Sequence, residues 1–396
     1  MKLNTLLRLK LAHLFFGMMF WYGIEQLFLN KYLGTASARA YLTMVYAATV
    51  LLFDIPGGIL ADKIGRKRTV LISCVVEILS VVILGMSTNL WQYLVGSILF
   101  GVFISLINGA AEALLYDKLK ADGHAKQYAK QQGQINAYFL VGAAIANLLS
   151  GFIAQHANLR LPYFLSAIPG VIAFLLLARI VEAPREKAAD HWYSHLNEAG
   201  RYILKRPLIL IFGLQFVIGE VVFLTIGEFG QIYLLQFHIS AVTLGILWSL
   251  VALAAALGRV LAHRGQQYPR TVILAYCVAI ASFIVTKSAW GILLFMLVYG
   301  LTEALGNIAE TEVQHASESR IRATLFSCVS FGGNFIGVPA VFLYNRIYTH
   351  HSLAAANHAL GIIVIGLLLL TALASTQHLS RRAVAEAIPA PLDKHY

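Results

Sequence analysis

Gly57-Gly-Ile-Leu-Ala-Asp-Lys-Ile-Gly-Arg-Lys-Arg-Thr69 lies between two long apolar runs, roughly 40–60 and 70–85. Two glycines open the stretch, and five charges fall within the seven residues from Asp62 to Arg68. Charged side chains at bilayer depth cost roughly 2.5–3.5 kcal/mol each on insertion scales, so this segment has no place in hydrocarbon. It reads as a tight aqueous turn between two membrane-spanning helices.

The rest of the chain agrees. Of 396 residues, 59% are hydrophobic and only 12% charged, which excludes an ordinary soluble protein of this size. Charge-free stretches run over 78–111, 131–159, 229–258, 323–345 and 347–380. Each is long enough for the ~20 residues that carry a helix across the bilayer, and the longest hold two spans or one span with a buried turn. Alternating strands of ~10 residues are absent, which argues against an outer-membrane barrel. The pattern predicts twelve helices near 11–31, 40–60, 69–86, 90–116, 131–155, 161–179, 207–235, 240–262, 271–287, 290–312, 323–345 and 353–376. The first apolar segment continues as a full-length span, so a cleavable signal peptide is not expected.

The formal net charge of +11 raises the question of nucleic acid, but the distribution answers it. When loops are assigned alternately to two sides, only Lys31, Arg39, Arg160, Lys287 and Arg346, of 30 Lys and Arg, leave the side holding both termini. This follows the positive-inside rule and predicts cytoplasmic termini. Cys74, Cys277 and Cys328 all fall inside spans, so no disulfide framework is expected.

The charged connection 181–206, with Pro184 and Pro207 at its edges, divides the chain. The expected parts are a six-helix bundle over 1–180, this linker, a second bundle over 207–380, and a tail over 381–396. Within the linker, His191–Leu204 suits either a short interfacial helix or a solvated strand of chain. The halves also echo one another. Gly109-Ala-Ala-Glu112-Ala-Leu matches Gly300-Leu-Thr-Glu303-Ala-Leu, and Thr69-Val-Leu-Ile matches Thr271-Val-Ile-Leu. Even the turn has a worn copy, Gly258-Arg-Val-Leu-Ala-His-Arg-Gly265. Two related halves around a midplane cavity are an architecture of secondary transporters.

The spacing Gly58-x-x-x-Asp62-Lys63-x-Gly65-Arg66-Lys67 resembles the loop between spans 2 and 3 of the major facilitator superfamily. That resemblance implies an all-α membrane protein of twelve helices in two pseudo-symmetric six-helix bundles, working by alternating access. It implies that Gly58, Asp62, Gly65 and Arg66 form a latch closing the cytoplasmic side, with Asp117 as partner. The small-residue surface Gly332–Gly337 of span 11 would be its dock. The alternative is a turn bearing positive-inside charges and nothing more.

Glu25, Glu77, Glu112, Glu220, Glu228 and Glu303 lie within predicted spans, while Asp54, Glu310 and Glu312 lie nearer their ends. Acids at this depth need explaining, because few basic residues accompany them. They can hold and release protons, or attract a cationic substrate. The resemblance places spans 1, 4, 7 and 10 around the cavity, which assigns Glu25, Glu112, Glu220, Glu228 and Glu303 as proton or substrate groups. Glu77, in span 3, reads as structural, and Glu112 also suits a role beside Asp117. Many multidrug exporters of the superfamily carry an acid in span 1, which Glu25 resembles. Two departures stand against that subgroup. Ser97 occupies the place of an arginine common in span 4 of proton antiporters, and span 5 lacks a Gly-Pro pair.

These residues predict a proton-coupled exporter of lipophilic or cationic small molecules in the bacterial inner membrane, a monomer embedded in lipid. A proton-coupled uptake permease for a sugar or nucleoside is the alternative, with Gln26, Asn108, Gln215 and Asn334 as polar contacts. A non-transporting sensor on the same scaffold is a third reading. No phosphate loop is present and the 13 histidines lack metal-ligand spacing, so no enzyme, cofactor or metal is expected.

Overall fold

The structure is a computed structural model and describes residues 4–33, 36–124, 127–182, 200–315 and 322–387. The described residues form helices and no strand. Span 1 consists of α1 (Thr5–Gly17), a 3-10 turn (Tyr22–Ile24) and α2 (Glu25–Tyr32). The remaining five spans of the first half are α3 (Ala36–Ile64), α4 (Arg66–Met86), α5 (Leu90–Ala121), α6 (Tyr128–His156) and α7 (Leu161–Ala178). The second half contains α8 (Pro207–Leu235), α9 (Ala241–Gly265), α10 (Pro269–Val285), α11 (Trp290–His315), α12 (Arg322–His350) and α13 (Leu353–Ala387). These correspond to the twelve spans expected from hydropathy.

Local chemistry sets the ends. The side chains of Asn4, Asn89 and Ser240 accept from the backbone N–H of Leu6, Gln92 and Thr243, satisfying donors that a helix start leaves orphaned. Proline opens α8 and α10, where its missing N–H costs nothing. Most of the linker, including His191–Ala199, lies outside the described residues; residues 200–205 are helical.

Helix packing repeats between the halves. In the first, α1 packs on α6 and α7, α3 on α5, and α4 on α5 and α7. In the second, α8 packs on α12 and α13, α9 on α11, and α10 on α11 and α13. Each of these pairs in the first bundle thus has its counterpart in the second, the physical form of the weak sequence echo. Leu79, Leu149, Leu257, Leu293 and Leu370 stand exposed around the outside, as side chains facing lipid should.

The predicted continuous first span is interrupted at Met18–Ile24. Gly17 and Gly23 flank the interruption, and glycine holds a helix weakly. Non-helical backbone at membrane depth persists only where protein satisfies it. Here the Ser166 hydroxyl accepts from the Trp21 N–H at 3.4 Å. Gln231 of the other half supplies further partners, described below.

The bundles meet through α6 against α9 and α3 against α12. At the end away from the termini, α6 and α9 touch backbone to backbone. A Cβ on Gly151 would lie 2.3 Å from the Ala241 carbonyl oxygen, and one on Gly245 would lie 2.6 Å from that of Asn147.

Candidate functional site

The charged turn is a single residue long. Gly65 alone separates α3 from α4 and adopts φ 110°, ψ 141°, a region essentially restricted to glycine. Gly65→Ala is therefore expected to cost about 1–3 kcal/mol, seen as a lower melting temperature of the detergent-purified protein.

Past the turn, the Arg66 guanidinium pairs with Asp117 of α5 and donates to the Ala113 carbonyl at 2.8 Å. The Arg66 N–H, first in α4, donates to Glu182 at 2.9 Å. A carboxylate at a helix N-terminus also meets the positive end of its dipole. Glu182, just past α7, thus ties the turn to the linker; the sequence reading did not single it out. Asp62 lies in α3, but its side chain is outside the described residues. Gly58 faces open space, with no atom within 4 Å of a Cβ built on it, whereas Gly57 packs on Ser105 of α5. Gly332, Gly333 and Gly337 are occupied within their own bundle, facing Val217, Glu220 and Leu224 of α8. In this state Arg66 binds its own half, and Gly332, Gly333 and Gly337 face α8.

The acids divide into three settings. Glu25 begins α2 and accepts from the Tyr93 hydroxyl at 2.7 Å; that hydroxyl lies 3.2 Å from Tyr163 Oη. Trp21 stacks on Tyr163, so this acid sits beside a buried aromatic cluster of the first bundle. Glu77 is 2% exposed, and its Oε2 has no hydrogen-bond partner among the described residues. It lies against the Gly170 backbone of α7, remote from the gap between the bundles. The expectation that Tyr, Asn or Gln would bond it fails at that atom.

Glu303 is 8% exposed and forms an ion pair with Arg259 of α9. Glu220 and Glu310 lie close enough to feel both charges. Sequence reading placed Arg259 among the end charges and described the cavity as nearly free of base. The structure corrects this: the residue is in the worn copy of the turn and reaches Glu303 of α11. Glu112 of α5 is exposed, accepts from Gln132 at 3.5 Å, and senses the charge of Glu310 in the opposite bundle.

Glu228 belongs to a seal. Its Oε2 accepts from Thr43 of α3 at 2.7 Å, and its backbone carbonyl accepts from Gln26 Nε2 at 3.3 Å. Gln231 donates to the Tyr22 carbonyl at 2.5 Å and accepts from the Gln26 N–H at 3.2 Å. Further out, Gln155 accepts from the Val242 N–H at 3.2 Å, and deeper Ser249 donates to the Ala144 carbonyl at 2.9 Å. Among the described residues, these bonds between the bundles gather at the end away from the termini. A separate cavity of about 50 Å³ lies inside the second bundle, between Phe229, Phe283, Phe295 and Tyr344, and not between the bundles.

Two pseudo-symmetric bundles, sealed at one end and with facing acids toward the other, define a polytopic membrane transporter. The chain belongs to the major facilitator superfamily, whose profile matches residues 10–341. The quinolone resistance protein NorA of Staphylococcus aureus is 22% identical over 186 residues, 46% of this chain and 47% of that protein. Multidrug resistance protein 2 of Bacillus subtilis is 23% identical over 186 residues, 46% of this chain and 45% of that protein. The matched stretch thus spans under half the length of these relatives. Among solved structures, a D-xylose–proton symporter superposes with TM-score 0.76 at 13% identity, covering 92% of this chain and 96% of that one. The nucleoside transporter NupG does so with TM-score 0.72 at 16% identity, covering 94% and 98%. At such identities the structures establish the fold alone. With its apolar helices and these relatives, the chain is a multi-pass integral protein of the bacterial inner membrane.

Proposed function

We propose that the protein exports lipophilic or cationic small molecules in exchange for protons, with the end bearing the termini in the cytoplasm. The observation carrying this reading is the ion pair of buried Glu303 with Arg259, with Glu220 close enough to feel both charges. Among the described residues one guanidinium stands beside two carboxylates, Glu303 and Glu220, so the pair retains an affinity for one more positive charge. A proton or a cationic substrate can supply it, and competition between them is the elementary requirement for exchange. Glu112, on the facing bundle, adds to the negative field through which a cation would enter. Support also comes from the relatives named for drug resistance, and from the Lys and Arg bias toward the terminal end. In the state described, the seal at Gln26, Glu228 and Gln231 would then face outward, leaving the cavity open to the cytoplasm.

Proteoliposomes loaded with ethidium and given an imposed pH gradient test the reading. Dye movement is expected to consume the gradient, and Glu25→Gln or Glu303→Gln to abolish dye-dependent proton flux. Unchanged flux in both variants removes the coupling role assigned to them. Uptake readings keep some support from the polar seal residues, but acids whose described cation, Arg259, is already paired are poorly suited to an anionic nutrient.

A further inference from the structure

We propose that the interruption in span 1 is a recognition site for a carboxamide-like group, occupied in this state by the side chain of Gln231 from the opposite bundle. In an uninterrupted α-helix the N–H of Gln26 would bond to the carbonyl of Tyr22, four residues earlier. Here the Gln231 carboxamide takes both groups: its Oε1 accepts from the Gln26 N–H at 3.2 Å, and its Nε2 donates to the Tyr22 carbonyl at 2.5 Å. One planar donor–acceptor pair has entered the hydrogen-bond ladder of a helix belonging to the other half. The Gln26 side chain answers by donating to the Glu228 carbonyl at 3.3 Å.

A second observation is independent of Gln231. Trp21 Nε1 and Gln26 Oε1 are both buried and have no hydrogen-bond partner among the described residues. Their residues are 4% and 3% exposed. Buried polar atoms are ordinarily paired, so a spare donor on Trp21 and a spare acceptor on Gln26 leave polar capacity at the break. The side chains around the break are flat and aromatic. Trp21 stacks on Tyr163 and meets Phe100 edge-on, and Tyr22 lies against Trp248 of α9.

When the bundles part at this end, Gln231 leaves with α8. The Tyr22 carbonyl and the Gln26 N–H then need new partners at the level of Glu25. A mostly apolar, planar molecule carrying an amide or lactam supplies the same N–H and C=O pair and would compete with Gln231 for the break. This assignment names a substrate class for the transporter proposed above. The contacts that define the site do not depend on proton coupling.

Hydrogen–deuterium exchange on the protein in lipid nanodiscs tests the site without any proton gradient, so its failure leaves the coupling reading standing. In Gln231→Ala, exchange of the peptide containing Gln26 should rise about tenfold, as expected for an amide that has lost its acceptor. Peptides from α4 to α7 should keep their protection, which shows that the fold is intact. Acetamide should restore protection more fully than N,N-dimethylacetamide, whose carbonyl can accept from the Gln26 N–H but which has no N–H for the Tyr22 carbonyl. Gln231→Met, which keeps the length of the side chain and loses both polar groups, gives the same comparison if the alanine variant folds poorly. Unchanged exchange in both variants overturns the proposal. So does a loss of protection that neither amide restores, or that both restore equally.

Discussion

Replacing Arg259 by methionine is expected to lower both stability and dye transport, and adding Glu303→Gln to restore stability without restoring transport. The argument rests on who loses a partner. Glu303 is 8% exposed and its cation is Arg259, whose side chain is 39% exposed. Removing one member of a fully buried pair costs about 3–5 kcal/mol, because a charge is left in a poor solvent. Solvent screening of the half-exposed arginine reduces this to about 2 kcal/mol. Methionine preserves much of the apolar stem, so the loss reports charge more than volume. With Glu303 also neutral, the most buried carboxylate that lost its cation is gone, and most of the stability should return. Transport should stay low, because the group proposed to exchange proton for substrate has gone. Thermal unfolding in detergent and dye flux in proteoliposomes read the two effects separately. An Arg259→Met protein that melts and transports like the wild type would show the pair to be incidental.

What could be read in advance follows from where physics is strict. Charges cannot lie in hydrocarbon, so the turn at Gly57–Thr69 and the twelve crossings were legible from sequence. Gly65 and Arg66 were legible for a related reason: a one-residue turn demands glycine, and Asp117 at the matching depth of α5 was a ready counter-ion. Arg259 was missed because hydropathy windows assign a basic residue near a span's end to water. A long, flexible side chain can instead turn inward to a buried acid. The interruption of span 1 was also hidden. Met18–Ile24 is as apolar as its flanks, and only partners distant in sequence, Ser166 and Gln231, make the irregular backbone tolerable. Glu182 lay in a charged linker where composition alone distinguishes no residue.

The second large effect is expected from Gly151→Val, which should arrest transport by keeping the sealed end apart. At this crossing the two bundles have no side chain between them. The first atom of any side chain at Gly151 would stand 2.3 Å from the Ala241 carbonyl oxygen, well inside contact distance, and that oxygen is backbone and cannot rotate away. Gly245 meets the same ridge from the other side, 2.6 Å from the Asn147 carbonyl oxygen, so neither helix can slide to make room. Within one bundle such overpacking costs typically 1–3 kcal/mol. Between two bundles the strain has an easier outlet, because separating them relieves it at once. The substitution therefore acts on the balance of states more than on folding, and about 3 kcal/mol would shift that balance by roughly 150-fold toward the separated form. Closure at this end precedes every release at the other, so flux should fall by a similar factor while the melting temperature changes little. Hydrogen exchange at the Gln26 amide supplies the structural reading, since separation also withdraws Gln231. Normal flux from Gly151→Val would mean that α6 and α9 do not have to meet this closely during transport, and that the seal depends on the polar contacts of span 1 alone.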